Sequence, residues 1–241
     1  MRNINNRTAL AIFIVLVSTC FGNARADWLD IANWLKLNRT PGAQRAPSEL
    51  QAGDIFIATL DGKAPQAVTV SGGYRSPVFL PDGKTLLALR GNDVVSVPVA
   101  GGLPKALYAV ADVIKLLGVN RKDNSKLLLL LKKADDDIEL GELELGSEQV
   151  TRLPSDPGNP DHRRMLNQLH GDDREYEGIS IHLRTESKAR MGGQTEWTDI
   201  YIKQGSQPPS NLSLCNGANC SQPSLSLDDM RVVFIKANNE Y

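Results

Sequence analysis

Two stretches of the chain carry the same alternation of apolar and polar positions. Residues 76–89 (SPVFLPDGKTLLAL) and 222–235 (QPSLSLDDMRVVFI) each pass from a short apolar segment through a polar turn into an aliphatic run. Both read as the strand, turn and strand of one unit, and a unit written twice predicts a repeat fold. The first copy continues into four strands, at 76–80, 85–90, 93–100 and 104–109, separated by turns at 81–84, 91–92 and 101–102. Four antiparallel strands in this order make one blade of a β-propeller.

A second unit repeats the order at 114–119, 126–131, 138–145 and 149–153. Its run 127–131 is unbroken leucine, the pattern of a strand buried on both faces. A third, less regular unit is laid on 165–170, 178–184, 198–203 and 210–214, with a long polar excursion at 188–194. Half a unit remains at each end: 222–235 supplies two strands, and 53–63 with 67–70 supplies the other two. The expected fold is all-β, a propeller of about four four-stranded antiparallel blades. Strands near Val233 pair with strands near Phe56 and close the ring. The alternative is an open four-blade arc completed by a second copy or a partner.

The turn Pro81-Asp82-Gly83-Lys84 explains itself locally. Proline sets φ, aspartate accepts backbone hydrogen bonds and glycine accepts positive φ, so Asp82 and its counterpart Asp228 need no ligand.

The N-terminus changes the picture of where the chain works. Arg2 and Arg7, the apolar stretch 9–17 and Ala24-Arg25-Ala26 have the layout of a secretory signal peptide, with cleavage expected after Ala26. The apolar stretch is shorter than the roughly 20 residues a membrane-spanning helix needs. Lipid attachment at Cys20 is the alternative, although Thr19 fits that motif poorly. Cleavage removes three arginines and takes the formal charge from −1 to −4, which offers no basic surface for nucleic acid. It leaves Cys215 and Cys220 as one pair, a disulfide in an oxidising compartment, with Asn216-Gly217 between them able to turn the chain.

The division is therefore a signal peptide at 1–26, a helix and linker at 27–50 and a propeller at 51–241. Within 27–37, Trp28, Leu29, Ile31, Ala32, Trp34 and Leu35 recur at intervals of three and four, and Asp27 can cap the helix they imply. Such a helix covers a propeller rim or the channel mouth. Alternatively, Trp28 and Trp34 anchor a partner. Residues 39–47 read as a linker.

Candidate chemistry is sparse. The chain has no Gly-x-Ser-x-Gly elbow, no His-Glu-x-x-His, no phosphate loop and no Gly-x-Gly-x-x-Gly. His162, His170 and His182 have no common metal-site spacing, and no catalytic residue, metal or cofactor is expected. The acidic clusters Asp135-Asp136-Asp137 and Asp172-Asp173 with Glu175 and Glu177 fall in expected turns, where solvated acids are ordinary. Paired carboxylates can also hydrolyse glycosides, so an enzyme acting on a sugar or lactone, with acids and a histidine at the central funnel, is the alternative function.

Ser-Pro-x-aromatic, then Pro-Asp-Gly-Lys and an aliphatic run, together with Gly53-Asp54-Ile55-Phe56 followed by Asp61-Gly62, resemble the propeller repeats of the bacterial TolB family. The resemblance covers about 53–110 and 221–236 well and the middle poorly. It implies a periplasmic interaction platform whose funnel or rim binds a partner protein or peptide, and with the export signal and the lack of catalytic motifs the expected function is a non-enzymatic module with an envelope or secreted partner. It also implies a larger N-terminal α/β domain and six blades, for which this chain is expected to have no room. A monomer or homodimer is expected.

Overall fold

A computed structural model describes residues 50–120, 123–133, 137–147, 149–154, 160, 166, 169, 171–176, 178–190 and 193–238. The expected export signal, Cys20, and the helix carrying Trp28 and Trp34 lie outside the described residues. Among those described, sixteen strands form four four-stranded antiparallel sheets.

The first two strands, β1 (Asp54–Thr59) and β2 (Gln66–Ala67), are half of a sheet. The second sheet is a complete meander of β3 (Tyr74–Phe79), β4 (Thr85–Arg90), β5 (Asp93–Pro98) and β6 (Lys105–Ala109). The third comprises β7 (Val113–Val119), β8 (Lys126–Lys132), β9 (Ile138–Glu144) and β10 (Val150–Arg152). The fourth comprises β11 (Arg174–Tyr176), β12 (Ile179–Arg190), β13 (Gly193–Gln204) and β14 (Ser210–Asn211). Finally β15 (Asn219–Leu225) and β16 (Arg231–Ala237) return to complete the first sheet in the order β15-β16-β1-β2. Phe56 stands opposite Phe234 and Ile57 opposite Val233, the pairing between chain ends expected from the sequence.

The central strands bury both faces, and alternate residues enter different cores. On β8, Leu127, Leu129 and Leu131 pack with Val78, Leu87 and Leu89 of the second sheet. Leu128 and Leu130 point the other way, toward Leu117 and Leu140. On β4, Leu86 and Ala88 join Ile55, Ile57, Val233 and Ile235 of the first sheet. On β16, Val232 and Phe234 join Ile181, Ile200 and Ile202 of the fourth. Period-two alternation thus fastens the sheets in the order fourth, first, second, third. Each fully buried leucine contributes about 1.5–3 kcal/mol.

The repeated turn behaves as its residues require. Asp82 Oδ1 accepts the N–H groups of Lys84 and Thr85 at 2.8 and 2.9 Å, and Gly83 has φ 61°. In the second copy Asp228 Oδ1 accepts the Met230 N–H at 3.2 Å, while Asp229 takes φ 55° in the place of Gly83.

The third unit departs from expectation. Its first strand is Arg174–Tyr176, not 165–170. The described residues Leu166 and Leu169 have helical backbone and both pack on Leu128, Leu130 and Leu140. A spacing of three puts two side chains on one side of a helix but on opposite faces of a strand, so the leucines favour the helix here. The described residues of the polar excursion, 188–190 and 193–194, extend a long hairpin paired from Ile179↔Gln204 to Arg190↔Gly193. In the first sheet the last strand stops at Ala67 because the Thr69 hydroxyl, not a ladder partner, receives the Ile55 N–H at 2.9 Å.

Leu129→Ala is expected to lower unfolding free energy by about 2–5 kcal/mol in urea titrations, since it opens a cavity in a two-sided core. Leu103→Ala, at a side chain 92% exposed, should change it by less than about 0.5 kcal/mol.

Candidate functional site

The inner strands β3, β7, β11 and β15 all begin at one face of the molecule, where β4, β8, β12 and β16 end. Two features share this near face: a buried polar network and an open cleft.

The network starts from two β-bulges in the matching segments. The ladder shifts register at Ser76-Pro77 and at Gln222-Pro223, and both Ser76 and Gln222 are held at positive φ, 48° and 57°. Positive φ costs a residue with a Cβ on the order of 1–3 kcal/mol, so neighbouring bonds must hold it. Gln222 Oε1 accepts the Ser76 N–H at 2.7 Å, and Asp172 Oδ2 accepts the Gln222 N–H at 3.0 Å. Asp172 Oδ1 takes Lys115 Nζ at 2.8 Å, and Lys115 also donates to the Gly171 carbonyl at 2.8 Å. Gln222 Nε2 reaches back to the Gln51 carbonyl at 2.7 Å. All four sheets and the lead into β1 are joined at one level.

Burial, with Arg174 nearby, pulls the Lys115 ammonium down to about 8 against the opposing attraction of Asp172. Burial pushes the Asp172 carboxyl up, but the charge and hydrogen bond of Lys115, then Arg174 and the Gln222 N–H, outweigh it and hold it below the usual range. The pair is therefore ionised at neutral pH. Lys115 is 2% exposed, which makes this lysine a structural tie and not a reachable base.

A second repeated feature escaped the sequence reading. Asp54 Oδ1 accepts the Thr69 hydroxyl at 3.1 Å and the Gly72 N–H at 2.8 Å. In the fourth sheet Asp199 Oδ1 accepts the Ser213 hydroxyl at 2.8 Å and the Cys215 N–H at 2.7 Å, while Ser213 receives the Ile200 N–H at 2.8 Å. Asp-Ile-x-Ile followed 14 or 15 residues later by Ser or Thr was the signal available. It builds the blade, satisfying buried backbone donors where the outer strand ends.

Cys215 and Cys220 form a disulfide with Cα atoms 6.2 Å apart, buried among Ile200, Leu212 and Val232. It ties the end of the fourth sheet to the first strand of the closing one. His162, His170, Asp135, Asp136 and Glu177 lie outside the described residues. His182 is on β12, its ring stacked on Tyr201 at 6.1 Å, with the Arg184 guanidinium 4.3 Å from the Tyr201 ring centre. The tyrosine hydroxyl donates to Glu186 at 2.6 Å. Asp173 Oδ1 accepts the Leu183 N–H at 3.2 Å, so Asp172 and Asp173 have separate structural partners. No cluster of metal-ligating side chains occurs among the described residues.

The cleft, about 970 Å³, is lined by residues 51–54, 72–73, 194–196 and 236–238 together with Phe56. Lys236 Nζ lies 5.3 Å from the centre of the Phe56 ring, which in turn stacks on Phe234 at 6.0 Å.

The chain is similar in fold to TolB structures. One, from Agrobacterium tumefaciens and provisionally named TolB, is 15% identical with a TM-score of 0.37, over 76% of this chain and 60% of that one. TolB from Acinetobacter baumannii is 16% identical with a TM-score of 0.35, over 73% of this chain and 45% of that one. The chain spans less than two thirds of the length of either. No family model matches it, and no curated protein does.

Removing one partner of the buried pair by Lys115→Met should cost about 3–5 kcal/mol, because Asp172 is left charged without it. Lys115→Met with Asp172→Asn should recover part of that loss in the same urea titration. Burial first, and Arg184 second, lower the pKa of His182 from its usual 6.5. Its ring resonances should titrate below that value in NMR. The folded state then binds this proton less tightly than the unfolded chain, so the contribution of His182 to stability falls as pH drops from 6.5 through the lowered pKa.

Proposed function

We propose that the chain is a non-enzymatic, TolB-like interaction module of the periplasm or the secreted fraction, built as a four-bladed propeller closed through its first sheet. The open cleft on the near face carries this reading. It is the size of a binding site, and it is bordered by a hairpin that runs past its neighbours: β12 and β13 have 12 residues each, whereas β11 pairs through three and β14 through two. The buried disulfide fits an oxidising compartment. Among the described residues no helix is long and apolar enough to cross a membrane.

An enzyme acting on a sugar or lactone would need acids and a histidine converging at the funnel. Of the candidate acids in the lead into β11 and on that strand, Asp172 is ion-paired with Lys115, Asp173 accepts the Leu183 N–H and Glu175 stands on β11, while His182 stacks on Tyr201. Those placements support the binding reading.

Affinity capture from bacterial envelope extracts, with quantitative mass spectrometry, tests it. The full chain should retain a defined set of proteins. A variant in which residues 187–196 are replaced by Asn-Gly should retain at least tenfold less, with an unchanged melting temperature. Equal retention of nothing by both, together with turnover in a panel of glycosides and lactones, would replace this reading with the enzymatic one.

A further inference from the structure

The near face has a filled axis and an unfilled cleft. Ser76, Lys115 and Gln222, on β3, β7 and β15, are each 2% exposed, and their polar atoms bond one another, Asp172 and the carbonyls of Gln51 and Gly171. A ligand entering along the axis from this face would have to break those bonds and strand a buried charge. The cleft offers no such obstacle.

Its two walls have complementary character. On one side Gly72 and Gly73, at φ 64° and 82°, present backbone without side chains, and a Cβ built on either would meet nothing within 4 Å. On the other side runs the start of β13. The direction of its backbone groups follows from period two. Thr198 N–H donates to Asn219 Oδ1, Ile200 N–H donates to Ser213 Oγ, and the Ile200 carbonyl accepts the Leu212 N–H, all on the edge away from β12. Gln194 has the same parity and directs its N–H and carbonyl to that edge, well short of Tyr201 and Ile202, where β14 pairs. Phe56, with Lys236 over its ring, gives the lining an amphipathic seat for one side chain.

We propose that the cleft binds an extended peptide segment, held chiefly through its main chain between the glycine wall and the edge of β13. This inference rests on the interaction-module reading and assigns its ligand class and its location, off the axis. Bare backbone on one wall and a strand edge on the other recognise what all extended peptides share, and the Phe56 seat selects one side chain.

The test selects random linear dodecapeptides displayed on phage against the full chain and measures the winners, as synthetic peptides, by fluorescence anisotropy. Gly73→Asn places a side chain in the cleft while keeping a residue type that tolerates positive φ. It should weaken binding at least tenfold. Gln194→Trp fills the cleft from the opposite wall, should do the same, and substitutes if Gly73→Asn lowers the melting temperature. Leu103→Ala, in the turn between β5 and β6 at the opposite face, should leave binding unchanged. N-methylation of alternate peptide amides should abolish binding in one phase and spare it in the other. Selected peptides that bind both cleft variants as well as the parent would overturn the location and leave the interaction module standing. Capture of folded envelope proteins with no peptide selected would overturn the ligand class alone. Failure of both selections would remove the parent reading with it.

Discussion

The contact between Lys115 and Asp172 governs how this chain is assembled. Three junctions between sheets are built on apolar clusters, and two of them also carry polar bonds, Ser76 to Gln222 and Thr198 to Asn219. The contact between the third sheet and the lead into the fourth is built differently. The face of the third sheet turned from the second is covered by Leu166 and Leu169, and the first strand of the third sheet reaches the lead into the fourth through an ion pair. A charge pair taken out of water must be fully bonded to be tolerated, which fixes its geometry more tightly than apolar contact would. Lys115 has the Gly171 carbonyl and Asp172, and Asp172 has Lys115 and the Gln222 N–H. The bulges that hold Ser76 and Gln222 at positive φ belong to the same device, since they aim backbone donors across the axis instead of along a ladder.

This arrangement separates the buried polar network from the open cleft on the near face. The charges of Lys115 and Asp172 are consumed in holding sheets together, and the open cleft lies to one side of them. There the chain ends of the first sheet meet the long hairpin of the fourth. The carboxylates Asp54 and Asp199 illustrate the same economy of roles: Asp199 is buried and Asp54 half-buried, and each is committed to backbone and hydroxyl donors at a strand end.

Much of the blade plan was legible in the sequence. The turns at Asp82 and Asp228 are local devices, and so were readable from four residues. The two-faced burial of 127–131 was readable because a run of five leucines held between two close turns is too short for a helix and suits a strand covered on both faces. The third unit was misread where local and tertiary signals diverge. Leu166 and Leu169 look apolar enough for a strand, but the surface they cover requires both on one side. The residues 188–194 look like loop because a hairpin projecting into solvent has no apolar alternation to announce it. The Asp54 and Asp199 motif was hidden for another reason: its partners lie 14 to 15 residues away, and nothing in spacing alone says that a hydroxyl will find a carboxylate there.

By itself the sequence determined the repeat, the turn chemistry, the pairing of chain ends near Phe56 and Val233, and the cysteine pair, because each is set by short-range stereochemistry or by apolar periodicity. Tertiary structure alone decided the axial network and the cleft. Ser76, Lys115, Asp172 and Gln222 are scattered over almost 150 residues, and their meeting depends on four sheets arriving at one level. The cleft is not made by any motif, since it is the space that remains when the first sheet closes beside the hairpin of the fourth.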